Sequence, residues 1–304
     1  MNAFLQLNTI FISMVMEAIP FVLVGVLVSG LIQMFLTEQW IARVMPKNRL
    51  LSTVLGCGVG VLFPACECGI VPITRRLLRK GVPLHAGIAF MLTGPIINPI
   101  VLFATYIAFG NDWRMVGIRS GLAIAVAFCV ALILSFAFPK LPMREYEAPV
   151  AAALEPGLEM PSAAPARPLS AKLGEVVSHA IEEFFSVGKY LVIGAFLAAS
   201  MQTFVPTATL LHLGSDPLRS SLVMIALAFV MSLCSEADAF IASSFRSSFT
   251  IGSLSAFLVF GPMIDIKNTL MLLATFRAKF VATLIGLVVV FTLLGSLLVG
   301  RLFG

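Results

Sequence analysis

Val281 to Val299 is a run of nineteen residues without one charged side chain. A bilayer core is crossed by about 20 apolar residues in a helix, and this run is close to that length. Several other stretches of the chain read the same way. The 304 residues are 59% apolar and 12% charged, with a mean hydropathy of +1.03. Soluble domains carry about 25% charged residues. The fold class expected is therefore all-α, a polytopic integral membrane protein. The competing reading, a large soluble helical protein, has no use for charge-free runs of this length. The net charge of +5 does not point to nucleic acid, because the basic residues gather in short loops between apolar runs. The N-terminus lacks a basic leader, and its apolar run continues past Glu17 and Pro20, so no cleavable signal peptide is expected.

One stretch breaks the apolar pattern. Pro64-Ala-Cys-Glu-Cys-Gly-Ile-Val-Pro72 packs two prolines, two thiols and a carboxylate into nine residues. Each proline removes a backbone donor and clashes with the preceding turn. Irregular backbone at membrane depth survives only where protein or a wet cavity covers it. The stretch reads as the tip of a broken or re-entrant element, with Pro64 and Pro72 as helix breaks. A second such tip is Cys234-Ser-Glu-Ala-Asp238. The two tips are expected to face each other around a substrate site.

In chain order, residues 9–36 form a first span and residues 50–63 a short apolar segment leading to the first tip. Residues 69–80 leave that tip and end in Arg75, Arg76, Arg79 and Lys80. Residues 84–109 form a span broken by Gly94-Pro-Ile-Ile-Asn-Pro99, with Gly94-Pro95 as the helix break, and residues 115–138 a clean span. Residues 139–172 hold seven prolines and read as a flexible linker. The plan then repeats: a span at 180–205, a short segment at 219–233, the second tip, a return at 239–249, a span at 252–275 broken at Gly261-Pro262, and a last span at 279–300. Gly25 aligns with Gly194, Cys66 with Cys234, Gly94-Pro95 with Gly261-Pro262, and Asn98 with Asp265, at offsets of 169, 168 and 167. The expected organisation is a first transmembrane repeat over 1–138, a cytoplasmic linker over 139–172 and a second repeat over 173–304.

Charge decides how the repeats are related. If residues 50–80 crossed the membrane, the basic clusters at Arg43/Lys47/Arg49 and Arg75–Lys80 would lie on opposite sides, against the positive-inside rule. A re-entrant hairpin puts both in the cytoplasm. Each half then has three transmembrane helices plus a re-entrant or broken-helix hairpin, an odd number of crossings, and the two structural repeats are inverted. Inverted repeats with broken helices near the midplane are a recurring plan of secondary transporters.

The residues able to carry chemistry lie at the breaks. Thiolates prefer soft partners such as Cu(I), Zn(II) or trivalent arsenic-like centres. Cys66 and Cys68 can converge on one soft ion from an extended tip, joined by Cys234 from the other hairpin. Buried packing cysteines are the plainer reading of the same residues, and the one adopted for Cys57 and Cys129. Glu67, Glu236, Asp238 and Asp265 are carboxylates at membrane depth, which are costly and functional by default, and suit proton uptake and release. Asp265 has Lys267 nearby, so an ion pair is the competing reading there. Asn98, Gln33 and Gln202 can bond substrate or bridge helices. Lys189 and Glu17 are read as interfacial, as are His85, His179 and His212. No Walker A pattern occurs, so any driving energy comes from an ion gradient or another subunit.

Phe63-Pro-Ala-Cys-Glu-Cys-Gly-Ile-Val-Pro-Ile-Thr-Arg75, Gly81-Val-Pro83 and Thr93-Gly-Pro-Ile-Ile-Asn-Pro99 resemble the ArsP-type permease family. Cys234-Ser-Glu-Ala-Asp-Ala-Phe240 and Phe260-Gly-Pro-Met-Ile-Asp-Ile-Lys267 do so in the second half. The resemblance covers both halves and leaves out the linker. It implies a multi-pass permease of the bacterial inner membrane. Characterised relatives export trivalent organoarsenicals such as methylarsenite, and the resemblance makes Cys66, Cys68 and Cys234 the thiol ligands. The expected function is thus a secondary transporter exporting a soft, thiol-reactive solute, not an enzyme. The alternatives are a transporter of a metal ion or a sulfur compound, or a membrane thiol oxidoreductase cycling Cys66 and Cys68. The partners expected are the lipid bilayer, the small solute and a coupling proton. A homo-oligomer is compatible with the sequence, and neither a cofactor nor nucleic acid is called for.

Overall fold

The computed structural model describes residues 3–35, 41, 45–46, 48–62, 66–139, 141–143, 169–204 and 216–303. These residues are all-α, in two groups of six helices. The first group is α1 (Ala3–Phe35), α2 (Arg49–Val59), α3 (Glu67–Arg79), α4 (Leu84–Ile97), α5 (Pro99–Ala108) and α6 (Trp113–Ala137). The second is α7 (Leu169–Phe204), α8 (Pro217–Met231), α9 (Ser235–Ser244), α10 (Ile251–Met263), α11 (Ile266–Thr275) and α12 (Ala278–Phe303). Five segments are long and apolar enough to cross a membrane, or six when α4 and α5, bent by 40° at Asn98, count as one broken span. The chain is a polytopic membrane protein.

Isolated polar residues in this apolar chain start the helices. Asn48, Asn98, Asp112, Thr250 and Asp265 each adopt an extended backbone and accept from an N–H of the first turn of α2, α5, α6, α10 and α11. Cys66 and Cys234 hold the same position before α3 and α9. An N-cap satisfies a donor that would otherwise be orphaned, which matters most where no water can reach.

Side-chain and backbone contacts give the directions of the helices. Gly56 sits on Ala86 and Gly60 on Gly94, so α2 runs parallel to α4. Gly94 meets Ile70 and Gly87 meets Leu78, so α3 runs antiparallel to α4. The chain therefore enters along α2 and returns along α3: a hairpin whose arms flank α4. About 20 Å long at 1.5 Å per residue, α3 falls short of the ~30 Å hydrocarbon core.

Helix ends gather at two poles. At the first, Ile41, Leu77, Val82 and Ala86 pack together, Arg49 lies over the Phe136 ring, and the Arg277 N–H donates to Pro142. At the second, Arg246 donates to the Phe109 carbonyl, Arg114 to that of Phe303, and Gly252 abuts Gly300. Almost every side chain of α4 and α10 is buried, and the two helices touch at the centre of the molecule.

Three expectations need correction. Pro72, Gly94, Pro95, Gly261 and Pro262 lie inside α3, α4 and α10 and do not break them. Each proline withdraws a single N–H, and the neighbouring bonds carry the helix on. The breaks fall just beyond, at Asn98 and at Ile264-Asp265. Asn98 precedes Pro99, whose ring forces it to an extended backbone. The glycines make room instead: a Cβ at Gly94 would lie 2.5 Å from Ile70 Cδ1, and one at Gly261 2.9 Å from Asp238 Oδ2. Second, residues 115–138 are not clean, since Arg119 is fully buried in α6. Third, the linker is shorter than read: Pro142 and Met143 pair with Arg277 and Phe276, and α7 begins at Leu169. Pro64 and residues 144–168 lie outside the described residues, as do Arg43, Lys47, His212 and the side chains of Gln33 and His179.

Candidate functional site

The hairpin tips and the helix breaks meet in the core. At the first tip, Cys66 precedes α3 and Cys68 lies in its first turn, and their thiols are close neighbours. Both are buried. The helix start, not an extended strand, brings them together: Cys66 is still outside the helix, so its side chain can fold over the first turn.

Glu67, between the thiols, points to α11. Lys267 Nζ lies 3.8 Å from Glu67 Oε1 and 3.7 Å from Asp265 Oδ2. Asp265 also caps α11, accepting from Asn268 N at 2.6 Å. One lysine thus faces two carboxylates, and all three side chains are sealed from solvent. Lys267 is also the cation that faces both thiols. Two acceptors here have no hydrogen-bond partner, Glu67 Oε2 and Asp265 Oδ2. Acceptors left without a hydrogen bond at this depth are costly, and for Asp265 Oδ2 the ion pair with Lys267 offsets part of that cost.

The second tip has a different counter-charge. Cys234 caps α9, its sulfur accepting from Ala237 N at 3.5 Å. Asp238 is buried one turn later. Arg119 reaches in from α6, donating from Nη1 to Thr105 Oγ1 at 2.5 Å and from Nη2 to the Ser235 carbonyl at 2.9 Å. Asp238, Glu236 and Cys234 are the groups its charge faces. One guanidinium therefore ties α5, α6 and α9 together. Asp238 Oδ2, Ser235 Oγ and Arg119 Nε have no partner. The two tips are electrostatic neighbours: Glu67 feels Glu236, and Asp238 feels Glu67, Asp265 and Lys267.

The structure brings together most of the residues singled out from the sequence. Cys66, Cys68, Glu67, Asp265 and Lys267 form one group, and Glu236 and Asp238 a second beside it. Asn98 caps α5 through Val101 N at 2.9 Å, the counterpart of Asp265 on α11. Cys234 does not join the thiol pair; its neighbour is Glu17 of α1. Among the described residues no three His, Cys, Asp or Glu side chains are placed to hold one metal ion. Gln202 bridges helices, donating to the Met231 carbonyl. His85 sits at the first pole against Ser135 and Lys189 is exposed over Tyr190, both away from the site.

Sequence reasoning missed Arg119 and Glu17. The signal was present for each, a lone charge inside an apolar helix, which at membrane depth marks function by default. Glu17 was read as interfacial but stands mid-helix against the second tip.

The sequence is similar to those of several known proteins. The chain is 61% identical to UPF0718 protein YcgR of Bacillus subtilis (strain 168), over 98% of both chains. It is 42% identical to a Streptococcus mutans protein named as a candidate subunit of a two-component membrane permease complex, over 98% of this chain and 96% of that one. It is 25% identical to UPF0718 protein YraQ of Escherichia coli (strain K12), over 36% of this chain and 31% of that one. No solved structure matches it significantly. The match to the predicted-permease family ArsP_1 runs from residue 3 to residue 301, and the chain belongs to that family.

Proposed function

We propose that this permease is a secondary transporter of the inner membrane that exports a soft, thiol-reactive solute of the trivalent organoarsenical class. The observation that carries the reading is the buried Cys66–Cys68 pair beside Glu67 and Lys267. Two adjacent thiols match a centre with two exchangeable positions. A methylarsenite, CH3As(OH)2, would exchange both hydroxyls for the two sulfurs and release two waters, with no oxidant or reductant consumed. Cys234, across the centre beside Glu17, is the third thiol to which the solute passes.

The contacts at the two poles support reading residues 1–138 and 173–304 as inverted repeats. Among the described residues the first pole carries Arg49, Arg75, Arg76, Arg79, Lys80, Arg277 and Lys279, and the second Arg114, Arg219, Arg246 and Arg301. By the positive-inside rule the first pole, with the linker, faces the cytoplasm and both termini lie outside. The buried carboxylates of Glu67, Asp238 and Asp265 are where a coupling proton would ride.

The test is uptake into everted vesicles of methylarsenite, arsenite and Zn(II), with and without a proton gradient. Gradient-dependent methylarsenite uptake that C66S and C68S abolish is the expected result. If none of the three moves, the substrate reading fails. C234S separates transport from thiol redox chemistry. It slows a three-thiol transporter and leaves intact a redox couple confined to Cys66 and Cys68.

A further inference from the structure

The two groups of six helices repeat each other in their contacts as well as in their order. Gly60, Gly94 and Ile70 meet in the first half as Ala228, Gly261 and Asp238 meet in the second, each residue 167 or 168 positions from its counterpart. The seams repeat too: α2 on α4 matches α8 on α10, α4 on α6 matches α10 on α12, and α3 on α11 matches α9 on α5.

The long helices α1 and α7 depart from this rule. They pack on each other, and both lean to the same side of the core. On α1, Gly25 presses against α3, where a Cβ would lie 2.5 Å from the Gly69 carbonyl oxygen. Its counterpart Gly194 on α7 presses not against α9 but against α11, where a Cβ would lie 2.8 Å from Lys267 Cα. Among the described residues α7 forms no comparable seam with α9, nor α1 with α5. The vacant side carries exposed apolar side chains: Ile100, Phe103 and Ile107 on α5 and Phe240 on α9.

A polar latch holds the pair where it is. Ser29 Oγ donates to Glu183 Oε2 at 2.9 Å, and Arg76 Nη2 reaches the same oxygen at 3.4 Å, joining α1, α7 and α3. At the same offsets the counterparts of Ser29, Glu183 and Arg76 are Ala198, Met14 and Ser244. Those three cannot form an ion pair, so the latch belongs to one side only.

We propose that the α5/α9 face is a second seat for the α1–α7 pair. The pair alternates between α3/α11 and α5/α9 and uncovers the site from opposite sides in turn. Exchanging the roles of the halves fixes the contacts of the second state. Gly25 moves from Gly69 to the backbone of Ile100 beside Phe103, the counterparts of Lys267 and Leu270. Gly194 moves from Lys267 to Ala237, the counterpart of Gly69. The latch opens. Two discrete packings of the same elements are what alternating access requires, so the proposal rests on the transporter reading.

The test places the photoreactive residue p-benzoylphenylalanine at Phe103, a conservative change on an exposed ring, in the full chain in membranes. After irradiation, captured peptides are identified by mass spectrometry. Capture of the α1 segment around Gly25 within one chain is expected, rising several-fold in R76Q and E183Q and returning to the unmutated level in the reversed pair R76E/E183R. Two independent latch variants guard against a folding defect in either, and gel-filtration elution reports folding in each. Capture of lipid alone, or of a second copy running as a dimer, in all variants would overturn the proposal. Methylarsenite uptake is measured on the same vesicles. Uptake without α1 capture sinks the second seat alone, while capture without uptake sinks the substrate and leaves the seat standing.

Discussion

Replacing Lys267 by methionine keeps the side chain's length and removes its charge. In the native protein Lys267 serves two carboxylates, Glu67 at 3.8 Å and Asp265 at 3.7 Å. At an effective dielectric near 20, each pair at about 4 Å is worth about 4 kcal/mol of attraction. The methionine variant loses both, and regains the several kcal/mol that burying the ammonium had cost. The loss is also capped. A group with one cation and two carboxylates carries one net negative charge, and a variant without the cation recovers that charge by taking up one proton. At pH 7 this costs about 3.7 kcal/mol for a glutamate and about 4.2 for an aspartate of ordinary acidity. A destabilisation of about 4 kcal/mol follows, within the range for breaking a buried pair from one side. Thermal unfolding of the purified protein in detergent should show Tm lower by on the order of 10 °C, at roughly 2–3 °C per kcal/mol for a chain this long. The defect should shrink by about 1.4 kcal/mol for each pH unit from 7 to 5, because the proton becomes cheaper to bind. K267M/D265N should regain most of the loss, having one carboxylate and no cation. A K267M protein as stable as the native one at pH 7, or a double variant worse than the single, would refute the charge balance argued here.

Removing Arg119 should be as damaging. R119M removes the tie from α6 to the Ser235 carbonyl and the positive charge that Asp238 faces, and should cost about 3–5 kcal/mol in detergent unfolding, while R119K, with charge but no planar fork, should fall between. G25V should loosen the seam of α1 on α3 by about 1–3 kcal/mol, whereas G58A, whose Cβ meets nothing within 4 Å, should leave Tm unchanged. Asn98 is a cap, so N98A should cost about 1 kcal/mol and N98D much less; a large transport defect in N98D with native stability would show that its amide has a further role.

The fold was legible where a single residue carries a strong constraint. Charge-free runs announced the spans, and the basic clusters flanking a short segment announced the hairpin before α3. Cys66 and Cys234, and Asn98 and Asp265, aligned in sequence and stand at equivalent helix starts. What misled was proline. Pro72, Pro95 and Pro262 look like breaks because each forfeits a hydrogen bond, but packing on every side of α4 and α10 holds those helices through the loss. The break at Asn98 is set by the residue that follows it. Arg119 was hidden by its apolar neighbours, and the pairing of Glu17 with Cys234 joins residues more than two hundred positions apart, which no local pattern reports. The lean of α1 and α7 to one side was likewise invisible, because equivalent sequences there take non-equivalent partners.

The most direct test of the thiol pair is its chemistry. Phenylarsine oxide bridges two neighbouring thiols with loss of one water, and intact-protein mass spectrometry counts the adducts. One adduct per chain is expected in the native protein, in C57S and in C234S, and none in C66S or C68S. An adduct that persists without Cys66 and Cys68, or a native protein that forms none, would contradict the account.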